Sequence, residues 1–226
     1  MKRLLDILGS SILIVVLFPI WIVIALAIRI TSPGSVFFVQ RRIGLNGKVF
    51  RMLKFRTMVP NAETMGTGLY SFEDDPRITR VGHFLRRKSL DELPQLFNVL
   101  VGSMSLVGPR PPVTYELGPW EEYTPQMRKR FVVKPGITGL AQISGRNELD
   151  WDEKIAYDNR YVDIILKYGF WVDILILFKT FWLVHDARKT IEKDLPLCNP
   201  DNSIAALART SGQPLSSQTV KGTDFS

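Results

Sequence analysis

An uninterrupted apolar run, ILIVVLFPIWIVIALAI, occupies residues 12–28 and limits the folds that the chain can adopt. As a straight helix the run would reach about 26 Å, slightly less than a hydrocarbon core of ~30 Å. Pro19 lies in its middle, where proline removes a helical hydrogen bond and kinks the chain. The residues after the run lack the small-residue pattern of a signal-peptide cleavage site. Two interpretations stay open, a single transmembrane helix and a re-entrant helix that returns to the face it entered.

The charge distribution also points to a membrane surface. The net charge of +7 arises within residues 1–56, which hold nine cations and one anion. Lys2 and Arg3 precede the apolar run and Arg29 follows it, whereas a spanning helix usually carries its cations on one side. Cations clustered around an apolar run favour anionic lipid over nucleic acid as the partner. A single cysteine excludes a disulfide framework, and two distant histidines disfavour a zinc site.

The remaining chain predicts an α+β, mostly helical domain. Asn46-Gly47 between two β-prone runs predicts a hairpin. An irregular loop is expected over 132–147. Helices are expected over 78–88, 90–100, 113–131, 151–168 and 170–189. The last of these fits an interfacial amphipathic helix and a core helix equally well. We expect a membrane-inserted segment (1–33), a catalytic domain (34–190) and a polar, disordered tail (191–226).

The densest chemical signal is RRKSLDELPQLFNVL, residues 86–100. Ser89 and Glu92 match a capping box, and Pro94 is typical of a first helical turn. Asp91 and Glu92 would then lie at a helix N-terminus, where free N–H groups favour phosphate. They are either a solvated cap or a site in which Asp91 attacks phosphorus, with cations and a metal offsetting the repulsion between anions. Arg110, in a Gly-Pro-Arg-Pro turn, is a candidate phosphate ligand.

Several of these segments together resemble the bacterial sugar transferases, the monotopic phosphoglycosyl transferases that begin glycan assembly on a polyprenyl phosphate. The resemblance covers roughly residues 2–185. The segments that carry it are Lys2–Asp6, Phe38–Gly44, Lys54–Met58, Ser89–Leu100, Met104–Pro111 and Pro135–Gly139.

The resemblance implies a reaction and a location. Sugar-1-phosphate would pass from a UDP-sugar to undecaprenyl phosphate, with release of UMP and with Mg²⁺ as cofactor. The enzyme would work at the cytoplasmic face of the bacterial inner membrane, held by a re-entrant helix kinked at Pro19 and by interfacial amphipathic helices. Larger members carry additional N-terminal membrane helices, so the resemblance is to the small catalytic form.

The resemblance also implies roles for individual residues. Asp91 would be the nucleophile and carry a covalent phosphosugar intermediate. Glu92 would be a metal ligand, together with Asp91, or a base acting on the acceptor. The expected substrate contacts are Arg86, Arg110, Arg146 and Asn147.

The chain departs from the family pattern at two positions. Phe18 replaces the serine that commonly precedes the kink proline, and Ser103 replaces a common aspartate, which puts one polar or metal-supporting contact in doubt. The main alternative function is a non-enzymatic, membrane-tethered scaffold for glycan assembly. A glycoside hydrolase is disfavoured, because its two carboxylates must flank a bond ~5–10 Å apart and sequence neighbours rarely do so.

Overall fold

The computed structural model of the chain describes residues 1–65, 75–145 and 149–185, and within them the protein is mostly helical. The predicted contacts Arg146 and Asn147, and the predicted tail, lie outside these residues. The helices are α1 (Lys2–Thr31), α2 (Arg80–Arg87), α3 (Gln95–Val101), α4 (Pro125–Lys129), α5 (Leu140–Ser144), α6 (Trp151–Tyr168) and α7 (Trp171–His185). An antiparallel hairpin joins β1 (Phe37–Ile43) to β2 (Val49–Phe55), and a second sheet pairs β3 (Ser105–Val107) with β4 (Gly136–Thr138) in parallel.

Helix α1 contains the apolar run and continues through Pro19 without a break. One stripe of the helix is buried against the protein core, with Trp21, Ile24 and Ile28 at its centre. The opposite side exposes large apolar side chains along the whole length of the helix, such as Val15. Among the described residues α1 is the one helix long and apolar enough to cross a bilayer.

The first turns of α1 are fastened to the core by charged side chains. The Asp6 carboxylate is buried and accepts hydrogen bonds from the hydroxyl of Ser105 and the backbone N–H of Leu106, both at 2.9 Å. Arg3 donates to the carbonyls of Val99 and Leu100 at 2.6 and 2.8 Å. These two carbonyls lie in the last turn of α3, where a helix lacks internal donors.

The other end of α1 is fastened to the same body. The Arg56 guanidinium, just after β2, donates to the carbonyls of Ser32 and Pro33 at 2.7 and 2.6 Å. Both residues immediately follow α1. Both ends of α1 therefore contact one folded unit.

Helix α7 is apolar on its exposed face as well as on its buried face, where Ile176 joins the core, and among its described side chains the one buried charge is Asp173. Asp173 is fully buried, where its carboxylate meets the Lys2 ammonium at 2.5 Å and the Tyr161 hydroxyl at 2.7 Å. Burial raises the pKa of Asp173 and also that of Tyr161, and Lys2 opposes the rise at Asp173. The side chains that α7 exposes are large and apolar: Trp171, Ile174, Leu175, Phe178, Phe181 and Trp182. This arrangement favours the interfacial interpretation over the core-helix one, because exposed apolar patches mark membrane or protein contacts.

The hairpin prediction is confirmed, and the turn is built as expected. Asn46 and Gly47 adopt left-handed backbone conformations, with φ of 53° and 76°. The tip rests on the Trp120 ring, which a side chain at Gly47 would enter. The strands are longer than the β-prone runs, and they place Arg42 beside Gln40 on one face.

Two predictions for the middle of the chain are wrong. Residues 113–131 are not one helix: Pro119 and Pro125 interrupt the segment, and α4 forms between two 3₁₀ turns, Trp120–Glu122 and Arg130–Val132. The loop expected over 132–147 contains β4 and α5. β4 forms because Gly108 and Gly136 let two backbones approach so closely that a side chain at either would clash.

Asp6→Ala should lower the free energy of unfolding by about 1–3 kcal/mol, because the Leu106 N–H would stay buried without an acceptor. Asp6→Asn, which keeps one acceptor oxygen, should be less destabilising. Denaturant unfolding of both variants in detergent measures the difference. An equal loss of unfolding free energy in the two variants would show that the hydrogen bond accepted from the Leu106 N–H does not account for the effect.

Candidate active site

The acidic pair lies in a turn ahead of α3. The helix predicted from residue 90 is two elements, a 3₁₀ turn (Leu90–Glu92) and α3, which starts at Gln95. The predicted capping box is wrong. Ser89 has left-handed backbone geometry, with φ of 55°, and its side chain makes no capping hydrogen bond to the turn.

Glu92 is held by two cations. Arg110 grips the carboxylate with both terminal nitrogens, at 2.8 and 3.4 Å, and the Lys54 ammonium contacts the same carboxylate at 3.1 Å. Burial alone would raise the pKa of Glu92, but Arg110 and Lys54 hold it well below its usual range. Glu92 is therefore an ionised ligand of these cations and a weak base.

Asp91 lies in a different environment. Its side chain is 8% exposed, and within the described part of the chain its carboxylate accepts no hydrogen bond. Burial and the neighbouring Glu92 carboxylate raise the pKa of Asp91, and Lys54, Arg86 and Arg110 oppose this rise. The carboxylate is thus surrounded by positive charge and free to meet a ligand, which suits a nucleophile toward an anionic substrate.

The surrounding cations come from three separate elements. Lys54 projects from β2, Arg86 from α2, and Arg110 from the segment after β3. Arg86 donates to the Thr57 hydroxyl at 2.9 Å. At Gly82, α2 packs so tightly on the Thr57 carbonyl that a larger residue would push it away. The position of Arg86 is therefore set by the close packing of α2.

A buried ion pair fixes the backbone that carries Arg110. The Arg130 guanidinium donates to the Arg110 carbonyl at 2.6 Å and pairs with Asp158 of α6 at 2.7 Å. Both charged side chains are 1% exposed. Arg42 of β1 donates to the neighbouring Pro111 carbonyl at 2.8 Å. Arg130, which is paired with α6, and Arg42 of the hairpin thus both hold the Gly-Pro-Arg-Pro turn in place through its backbone carbonyls.

The structure brings Asp91, Glu92, Arg86 and Arg110 close together. Lys54 was missed as a site residue. The alternation of β2 offered a signal, because it places Lys54 on the same face as buried Met52.

Ser103 takes part in structural contacts. Its hydroxyl donates to the Asn98 carbonyl at 3.1 Å and accepts from the Asn98 amide at 3.2 Å. The Asn98 amide group also bonds the β2 backbone at Arg51 and Leu53. Ser103 therefore supports the contact between α3 and β2.

The donor set at the acidic pair fits a metal that arrives with a substrate. The described residues contain no cluster of three or more His, Cys, Asp or Glu side chains able to hold a metal. Mg²⁺ commonly uses one or two carboxylates together with substrate phosphates. No described residue donates a hydrogen bond to the Asp91 carboxylate, whereas Glu92 would have to give up an ion pair with Lys54 or Arg110 to bind the metal.

A family model described as bacterial sugar transferase matches residues 1–187. The chain belongs to the bacterial sugar transferase family. It is 42% identical over 195 residues to the undecaprenyl-phosphate galactose phosphotransferase of Salmonella typhimurium, covering 80% of this chain and 39% of that protein. It is 44% identical over 184 residues to the UDP-glucose:undecaprenyl-phosphate glucose-1-phosphate transferase of Xanthomonas campestris, covering 79% of this chain and 37% of that protein.

A third relative is closer to the present chain in length. The exopolysaccharide production protein ExoY of Rhizobium meliloti is 39% identical over 193 residues, covering 79% of this chain and 83% of that protein. The chain spans about two fifths of the length of the Salmonella and Xanthomonas relatives. The match to the family model, over residues 1–187, includes Asp91 and the cations around it.

Glu92→Gln should destabilise the fold in a pH-dependent way. Because the pKa of Glu92 is lowered on folding, its ion pairs stabilise the protein above about pH 4.5, and this stability is lost as the pH falls toward the folded pKa. The difference in unfolding midpoint between wild type and variant should be largest near pH ~7 and shrink below pH ~4. Glu121→Gln, at an exposed carboxylate, is the matched control and should have little effect. A difference that does not change with pH would contradict the proposed ion pairing.

Proposed function

We propose that this chain transfers sugar-1-phosphate from a UDP-sugar to undecaprenyl phosphate at the cytoplasmic face of the bacterial inner membrane, releasing UMP. The observation that carries the proposal is the Asp91 carboxylate, which accepts no hydrogen bond from the described residues and has Lys54, Arg86 and Arg110 near it. The names of the Salmonella and Xanthomonas relatives describe this class of reaction. ExoY is named for exopolysaccharide production, a process that such a transfer can begin.

The first proposed step forms a covalent intermediate on Asp91. A carboxylate oxygen of Asp91 attacks the phosphorus that bears the sugar, and the bond from that phosphorus to the bridging oxygen breaks. UMP leaves with the bridging oxygen. Arg86 and Arg110 are placed to bind the diphosphate oxygens, on which negative charge builds up as the bond breaks.

The second proposed step regenerates the enzyme. A phosphate oxygen of undecaprenyl phosphate attacks the same phosphorus, and the bond to the Asp91 oxygen breaks. The products are undecaprenyl diphosphate sugar and a free Asp91 carboxylate. The acceptor phosphate is already an anion near neutral pH, so this step needs no strong base.

Glu92 has a supporting role in this proposal. Its lowered pKa makes it a poor proton acceptor, so we assign it the positioning of Arg110 and Lys54 rather than base catalysis. Mg²⁺, bound by Asp91 and the donor diphosphate, would supply neutralisation of phosphate charge. Glu92 would join this coordination only by giving up one of its ion pairs.

We also propose that α1 is a re-entrant or interfacial helix and does not span the bilayer. Two observations support this. A spanning helix would carry its two ends to opposite sides of the bilayer, but Asp6 and Arg56 hold both ends of α1 on one folded unit. The buried stripe through Trp21 runs along the protein, which leaves the other side of α1 to the lipid.

Asp91→Asn should reduce UMP release by roughly 10³-fold or more, because the nucleophile is lost. The measurement uses the full chain in nanodiscs with Mg²⁺, undecaprenyl phosphate and a panel of UDP-sugars. Asp152→Asn, at an exposed aspartate of α6, is the matched control and should keep full activity. Without acceptor, one equivalent of UMP and a phosphosugar mass adduct on the protein are expected. UMP release that survives Asp91→Asn would overturn the mechanism, and a folded, lipid-bound chain inactive with every donor would favour the scaffold.

The two ends of α1 should be labelled from the same side of the membrane. In a Cys198→Ser background, a cysteine in a short N-terminal tag and, separately, Ser35→Cys report the two ends. In spheroplasts an impermeant maleimide should reach neither cysteine until the membrane is permeabilised. Labelling of the tag alone in intact spheroplasts would identify a spanning helix.

A further inference from the structure

The hairpin has a second face that the proposed reaction does not use. Side chains alternate along a strand, so Arg42 and Lys54 lie toward the candidate active site while Arg41 and Arg51 lie on the other face. Arg41 and Arg51 are direct cross-strand partners. Both are exposed, and within the described residues neither guanidinium forms an ion pair or a hydrogen bond. Like charges directly opposite each other destabilise a sheet. An anion bound between the two arginines would remove this repulsion.

An apolar groove lies beside this arginine pair. Its volume is about 290 Å³, and Val39 and Leu53 of the hairpin face Phe97 and Val101 of α3 across it. Val101 is 76% exposed, an unusual environment for an isolated valine on a short helix. Asn98 also lines the groove, but its amide group is already bonded to the β2 backbone. The groove therefore offers apolar walls with cations at one end.

The groove adjoins the surface that α1 presents to lipid. The Phe97 ring packs edge-on against Trp21 of α1, with centroids 5.2 Å apart. Phe37, on the same hairpin face as Val39, is also exposed. Apolar surface therefore continues from α1 across α3 to the hairpin, which places the arginine pair at its polar margin.

The site is separate from the place where an acceptor phosphate must react. Arg51 lies three residues from Lys54, about 10 Å along β2, and points to the opposite face. A phosphate held between Arg41 and Arg51 is therefore out of reach of Asp91. The ligand that fits is a lipid of the surrounding bilayer and not the reacting polyprenyl phosphate.

We propose that this groove binds one acidic phospholipid, with its phosphate between Arg41 and Arg51 and part of an acyl chain along Val39, Leu53, Phe97 and Val101. Two guanidinium groups are well suited to one phosphate. The bound lipid would relieve the repulsion across the hairpin and hold it at the membrane surface.

The test uses the full chain in a neutral detergent, titrated with phosphatidylglycerol or phosphatidylcholine. Native mass spectrometry counts bound lipids, and thermal unfolding measures the stabilisation that they give. We expect one tightly bound phosphatidylglycerol that raises the unfolding temperature. The double variant Arg41→Gln/Arg51→Gln should bind it at least about tenfold more weakly. The matched control, Lys48→Gln/Arg80→Gln, removes two exposed cations elsewhere and should keep wild-type affinity.

A groove variant tests the apolar half of the site. Val101→Ser, at a residue too exposed to support the core, should weaken phosphatidylglycerol binding without lowering the unfolding temperature of the lipid-free protein. Unchanged phosphatidylglycerol binding in the double arginine variant would overturn the proposal. An equal thermal shift with inorganic phosphate would also overturn it, because the groove would then have no role. Undecaprenyl phosphate that displaces phosphatidylglycerol at lower concentration would reassign the site to the acceptor.

Discussion

A charge buried away from water must be paired, and this requirement sets the position of α1. Asp173 is enclosed by α6, α7 and β3, and its partner is Lys2, at the very start of the chain. An unpaired carboxylate there would cost several kcal/mol. The pair therefore holds the first turn of α1 against α7, and Arg56 holds the last turn beside β2. Because Lys54 of the candidate site lies on that same strand, the apolar helix and the two candidate-site carboxylates belong to one compact unit.

The predictable parts of the fold are those encoded over short distances. The apolar run specifies α1, the Asn46-Gly47 turn specifies the hairpin, and the Asp150 cap and Gly169 bound α6 at the predicted residues. Asp91 and Glu92 were found from local composition together with a family resemblance. Their local geometry was not found, because Ser89 adopts a left-handed backbone conformation that residues other than glycine rarely adopt.

The unpredicted parts depend on contacts between residues far apart in the chain. β4 exists only because Gly136 meets Gly108, and neither glycine reveals its partner in the sequence. The grip of Arg130 on the Arg110 carbonyl and on Asp158 likewise joins three distant segments. Periodicity along a strand shows which face a residue such as Lys54 occupies. It does not show which anion lies opposite that residue. The contact of Lys54 and Arg110 with the Glu92 carboxylate therefore became visible only in the structure.

The apolar outer face of α7, with aromatic rings exposed although its inner face already packs on the core, changes what counts as the interior of this protein. Soluble α+β domains close their apolar faces with another layer of secondary structure. In the described part of the chain, no such layer covers the outer faces of α1 and α7. In the membrane placement proposed above, lipid chains form that layer. The hydrophobic effect that stabilises a protein core would then also hold α1 and α7 in the membrane. Bilayer thickness and fluidity then act on stability as a core substitution does in a soluble enzyme.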